Sequence, residues 1–186
     1  PGIQAVDEAV DSGLELATWS DAGRTKLAES LYAEASLGNP VDVVATANAD
    51  HFHAAVETLL EEDGTDMVLV FFVTAPFTDT EAIARRIKEA TDTSDKPVVV
   101  VIETYSEFYG LIEKLRESNL PVYEFAEDGA RALAAMRRYA ELRDRETEDP
   151  PALDVDRAAA EKILEPHQGR DAYLPQAEAF AVLAAY

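Results

Sequence analysis

A chain of 186 residues with 47% hydrophobic content can bury one α/β core with a remainder, and is too apolar to be disordered. Its 16 Lys and Arg against 37 Asp and Glu leave a net charge of −21, which argues against nucleic acid, whose binding rests on neutralising phosphates. It has no cysteine for disulfide or thiolate chemistry. It also has no apolar run near the roughly 18 residues of a membrane span and no basic-then-apolar leader, so a cytoplasmic protein with no membrane partner is expected.

In chain order, residues 3–10 read as a helix with apolar Ile3, Val6 and Val10, closed by Gly13. Residues 14–19 read as a short strand. Ser20 starts a helix carrying Leu27 and Leu31, which Gly38-Asn-Pro-Val-Asp42 breaks before extended Val43-Val44. Asp50 caps a helix with Phe52, Val56, Leu59 and Leu60 on one face. Residues 67–73 (Met-Val-Leu-Val-Phe-Phe-Val) form a buried strand, followed by a helix from Thr78 with Ile83 and Ile87 inward. Residues 97–102 are uniformly apolar, as in a parallel sheet covered on both faces. Thr104-Tyr-Ser-Glu107 is a capping box for a helix burying Phe108, Leu111, Ile112 and Leu115 and ending at Asn119. Residues 121–125 form an edge strand, and Glu127 and Asp128 suit the positive end of a helix reaching Arg143.

The pattern predicts a doubly wound parallel α/β sheet in three layers with a short helical C-terminal extension. Residues 1–143 form the sheet domain, 144–154 a polar linker around Pro150-Pro151, and 155–186 two short helices with an apolar face (Ala179, Val182, Leu183) in need of a partner. A helix at residue 2 with no strand before it suggests a first strand missing from the sheet, and hence a fragment. Acidic residues spread over every predicted helix read as an adaptation to high internal salt, with an acidic face for a basic partner as the competing reading.

The end of strand 67–73 delivers Thr74, Ala75, Pro76, Phe77, Thr78, Asp79 and Thr80 to a helix start, where hydroxyls and free N–H groups suit an anion, most naturally a phosphate. Thr78-x-x-Glu81 is equally an ordinary capping box, and Asp79 and Glu81 would repel the phosphate unless they face a cation or satisfy the helix dipole at rest. Pro1, Gly2, Asn39, Pro40 and Asp42 are candidates for the switch-point crevice, with turn chemistry as the alternative for Asn39 and Asp42. His51 and His53 lie on different faces of their helix and read as solvent-facing. His167 sits in a loop with no carboxylate at useful spacing. No third ligand converges on any of them, so no metal site and no catalytic residue is assigned. Trp19, Phe71 and Phe72 read as core, and Arg85-Arg86 and Arg137-Arg138 as solvated helix faces.

Several pieces in order resemble one family: Pro-Gly-Ile-Gln-Ala-Val-Asp (1–7), Gly-Asn-Pro-Val-Asp-Val (38–43), Val-Thr-Ala-Pro-Phe-Thr-Asp-Thr-Glu (73–81), Lys-Pro-Val-Val-Val-Val (96–101) and Leu-Pro-Val-Tyr (120–123). Together they resemble the flavodoxin-like third domain of the NDP-forming acyl-CoA synthetases, which is similar to the carboxyl-terminal domain of the succinyl-CoA synthetase β subunit. Residues 174–186 resemble the helix that leads into the ATP-grasp domain of fused members.

The resemblance implies an enzyme that interconverts carboxylic acid, CoA and ATP with acyl-CoA, ADP and phosphate through an acyl phosphate and a phosphohistidine. The phosphohistidine is held between two helix N-termini, and the helix at Thr78 matches the second of these. CoA, ATP/ADP and Mg belong to the complete enzyme, with none bound by this domain alone. The implied partners are a preceding CoA-binding domain, a preceding histidine-bearing domain and a following ATP-grasp domain, and oligomerisation is expected. The nucleophilic histidine has no counterpart here, so the fragment alone is expected to be inactive.

The Ser/Thr-rich loop of a flavin site and the paired aspartates of a phosphorylated receiver are both missing. The serious alternative is a non-catalytic ligand-binding domain of a lysine acetyltransferase fusion.

Overall fold

A computed structural model describes residues 2–74, 77–103, 109–117, 119–146 and 154–186. The chain forms two compact units, Pro1–Asp144 and Arg145–Tyr186. In the first, helices α1 (Gly2–Asp11), α2 (Asp21–Ser30) and α3 (Ala49–Glu61) precede strand β1 (Val68–Val73) and helix α4 (Thr80–Thr91). Strand β2 (Val98–Glu103), helix α5 (Tyr109–Glu117), strand β3 (Val122–Tyr123) and helix α6 (Ala126–Arg143) complete it. The strands are parallel in the order β1-β2-β3, with Val68 opposite Val98 and Val100 opposite Val122.

Helices cover both faces of this sheet, which is the expected α/β architecture. On one face Val56 and Leu60 of α3, Ile83 and Ile87 of α4, and Ile112 and Leu115 of α5 pack with Val70, Phe72, Val100 and Ile102. On the other face α6 approaches so closely at Gly129 that a Cβ there would stand 2.7 Å from Val101 Cγ2. β2 is buried from Val98 to Ile102, which is why it is uniformly apolar. Leu27 of α2, with Trp19 and Leu31 on either side of that helix, packs on Ala55 of α3.

Several local expectations are corrected. Residues 14–19 form no ladder among the described residues. Trp19 is buried, and its indole N–H donates to Leu37 O at 3.1 Å. α2 ends at Ser30, well before the Gly38 turn, where Ser36 and Asp42 form an isolated antiparallel bridge. Val44 is not extended: at φ 65° it lies in the left-handed region, with its N–H held by Asp42 Oδ1 at 2.9 Å. On α1 the buried residue is Ala5, while Ile3 and Val10 face solvent. Gly13, at φ +87°, ends that helix as expected.

β3 is shorter than expected, at two residues. The left-handed Asn119 (φ 62°) follows α5, and α6 ends at Arg143 as predicted. The Thr104–Glu107 motif, Phe108, the Leu111 side chain and Pro150-Pro151 lie outside the described residues.

The second unit contains α7 (Arg157–Leu164), a 3-10 turn (Glu165–His167) and α8 (Gln176–Ala184). Asp156 caps α7 by accepting from the Ala159 N–H, and its own N–H donates to Ala185 O, each at 2.9 Å. His167 has a carboxylate partner after all, because Nε2 pairs with Glu178 of α8. Phe180 and Leu183 of α8, and Tyr186 just beyond it, are exposed, while Ala179 and Val182 are half-buried. Among the described residues no helix is long and apolar enough to cross a membrane.

Candidate functional site

The carboxyl end of β1 leads through buried Thr74, whose N–H donates to Glu103 O at 3.2 Å, toward the start of α4. Ala75 and Pro76 lie outside the described residues. Phe77 is exposed and Thr78 half-buried. The helix starts later than expected: the cap is Asp79, whose Oδ1 accepts from Ala82 N–H at 3.0 Å, and Thr80 is the first helical residue. As the cap, the Asp79 carboxylate satisfies the orphan Ala82 amide and sits on the positive helix end.

The first turn of α4 is therefore occupied internally. The Thr80 N–H donates to Thr78 O and the Ile83 N–H to Asp79 O, each at 3.0 Å. The Thr80 side chain is 5% exposed, and its hydroxyl has no hydrogen-bond partner.

A second helix N-terminus faces this one. A cleft of about 110 Å³ has Thr46, Ala47, Asn48 and Ala49 on one side and Phe77, Thr78, Asp79 and Ile83 on the other. Asn48, rather than Asp50, caps α3: its Oδ1 accepts from Asp50 N–H at 3.0 Å and from His51 N–H at 3.2 Å. His51 Nδ1 accepts from Asn48 N–H at 3.1 Å, which places the ring proton on Nε2. His51 is half-buried against Tyr32, with ring centroids 4.3 Å apart, so it is not a solvent-facing residue. His53 faces α4, where its Nδ1 lies 3.0 Å from Arg86 O. Sequence reasoning missed the Thr46–Ala49 wall. The available signal was Asn48-x-x-His51, a capping box with histidine in the place of the usual Glu or Gln.

Asp50 lies 3.0 Å from Arg86, which also pairs with Glu89 at 2.7 Å. The Arg86 hydrogen bond holds the Glu89 carboxyl below its ordinary range. No Lys or Arg lines the cleft among the described residues, so what the lining offers an anion is backbone dipole and hydroxyls. Arg85 likewise pairs with Glu89, and Arg137 with Glu141 and Gly13 O.

None of the described crevice candidates lines this cleft. Gly2 lies beside Pro40, where a Cβ would stand 3.9 Å from Pro40 Cγ. The Asn39 amide donates to Ala17 O at 3.0 Å, and Asp42 serves its own turn. Pro1 lies outside the described residues. Among the described residues no three metal-type side chains converge.

No family model matches the chain. The acetate–CoA ligase [ADP-forming] I of Archaeoglobus fulgidus is 27% identical to it over 187 residues, covering 100% of this chain and 26% of the relative. The acetate–CoA ligase [ADP-forming] II subunit alpha of Pyrococcus furiosus is 28% identical over 146 residues, covering 75% of this chain and 32% of that protein. Among solved structures, PH0766 from Pyrococcus horikoshii OT3 superposes with a TM-score of 0.72 at 29% identity, over 76% of this chain and 33% of that one. The chain thus spans about a quarter to a third of the length of the curated relatives it matches.

Proposed function

We propose that this chain, a segment of an NDP-forming acyl-CoA synthetase, supplies a helix N-terminus that docks the phosphoryl group during its transfer. In the complete enzyme the γ-phosphoryl of ATP passes to a histidine, leaving ADP, and then to a carboxylate, giving an acyl phosphate. The CoA thiol attacks the acyl carbon and releases phosphate. The histidine, the CoA site and the nucleotide site belong to other domains of that enzyme. Residues 155–186 would be the beginning of its ATP-grasp-type domain, and the Mg ion would accompany the nucleotide there.

One observation carries the role of this chain: a helix N-terminus at the carboxyl end of a parallel strand, facing a cleft lined, among the described residues, by no Lys or Arg. Peptide dipoles stabilise a transferring phosphate without the grip of a full positive charge, which suits onward transfer. In the resting chain Asp79 holds the anion position. A phosphoryl group docks by displacing its carboxylate, which frees the Ala82 N–H and removes a like charge. The relatives named above are ligases, so the acetyltransferase-fusion reading gains no support.

The test uses the complete parent protein and γ-labelled ATP. The expected result is an acid-labile, base-stable phosphoenzyme that acid and CoA discharge. A folded protein that takes no label would overturn the synthetase reading.

A further inference from the structure

The wall of the cleft that precedes α3 hangs on one strained residue. Residues 43–47 join two fixed points. At one end the Asp42 and Ser36 backbones exchange two hydrogen bonds, each at 3.0 Å. At the other Asn48 caps α3, whose Val56 and Leu60 belong to the main core. Between them Val44 stands at φ 65°, a left-handed conformation that a β-branched residue rarely adopts. Such strain persists only where the surrounding structure imposes it. Two contacts impose it here. Asp42 Oδ1 accepts from the Val44 N–H at 2.9 Å, and Val44 O accepts from the Ala47 N–H at 3.1 Å. Ala47 is buried, and Thr46, Ala47 and Asn48 form the cleft wall across from Thr78 and Asp79.

We propose that Asp42 is a positioning residue for this cleft: its carboxylate locks Val44 left-handed and thereby sets where Thr46, Ala47 and Asn48 stand. Asp42 itself does not line the cleft. Without its carboxylate Val44 returns to negative φ, a rotation of roughly 120° that re-aims the chain up to the α3 cap. Glycine at position 44 would hold the left-handed conformation unaided. The need for Asp42 therefore disappears with the Val44 side chain, which separates a lock from an ordinary turn contact. The lock stands apart from the phosphoryl reading, and only its effect on transfer rests on that reading.

Hydrogen exchange of the complete parent protein, read amide by amide in a mass spectrometer, tests the lock. Asp42→Ala should speed exchange at Val44 and Ala47 by about tenfold or more and leave the amides of β2 unchanged. Asp42→Asn keeps an acceptor and should stay within about threefold of wild type at both amides. Adding Val44→Gly to Asp42→Ala should return Ala47 to near its wild-type exchange. Single-turnover phosphoryl transfer should slow by about tenfold in Asp42→Ala and recover in the double variant. Exchange at Ala47 indifferent to Asp42→Ala overturns the lock, and so does a loss that Val44→Gly fails to repair. Faster exchange with unchanged transfer overturns the role in the cleft. A wild type that forms no phosphoenzyme sinks the phosphoryl reading alone, and the exchange result still decides the lock.

Discussion

Two helix N-termini face the same cleft and are finished by opposite chemistry. α3 ends in a neutral pair, Asn48 and His51, that satisfies amides in both directions. α4 ends in the carboxylate of Asp79, which takes one amide and brings a negative charge to the helix pole. The neutral cap is closed and has nothing to give up. The charged cap resembles a stand-in, because what it offers the helix is what a phosphoryl oxygen would offer. In the proposed docking role α4 is the working end and α3 the fixed wall.

The harshest way to break this comparison is to remove the support beneath α4. Ile83 is 3% exposed and lines the cleft, so Ile83→Ala should cost about 2–5 kcal/mol in chemical denaturation. The caps themselves are worth less. Asn48→Ala and Asp79→Ala should each cost about 1 kcal/mol, whereas Asp79→Asn should cost a few tenths at most while strengthening phosphate binding measured by calorimetry. A phosphate affinity that fell in Asp79→Asn would remove the stand-in interpretation.

The smallest effect lies at the other end of α3. There Glu62 accepts from Ser20 N–H at 2.6 Å and from the Ser20 hydroxyl at 2.9 Å, and the backbone hydrogen bond foremost lowers its pKa from the ordinary 4.5. A lowered carboxyl stabilises the fold above its ordinary value and loses that contribution as pH falls through the lowered one. Wild type should therefore lose more melting temperature than Glu62→Gln between about pH 5 and pH 3. Equal losses would show that the Ser20 clasp contributes nothing.

The sheet and its covering helices were legible because period and burial agree. Val98 to Ile102 are apolar and buried on both faces, and Ile83 and Ile87 stand one turn apart on the buried side of α4. Residues 14–47 were not. A short apolar run such as 14–19 becomes a strand only if a neighbour supplies a ladder, and sequence pattern does not reveal neighbours. The left-handed Val44 depends on the Asp42 carboxylate two residues back, against the preference of a β-branched residue.

At the candidate site, the strand-to-helix junction could be read from residues 73–81. The cap shift from Thr78 to Asp79 could not, since both residues cap well and only tertiary placement decides. The pairing of His167 with Glu178 joins residues eleven apart in two elements and leaves no local signal.

The most direct test of the proposed docking role is single-turnover transfer to ADP from the phosphoenzyme that the proposal requires, in the complete parent protein, comparing wild type with Asp79→Arg. A fixed cation at the α4 pole should hold the phosphoryl group and slow transfer by about tenfold or more, beyond what the lost Asp79 cap costs in stability (about 1 kcal/mol or somewhat more). An unchanged transfer rate in the folded variant would show that the N-terminus of α4 does not hold the phosphoryl group.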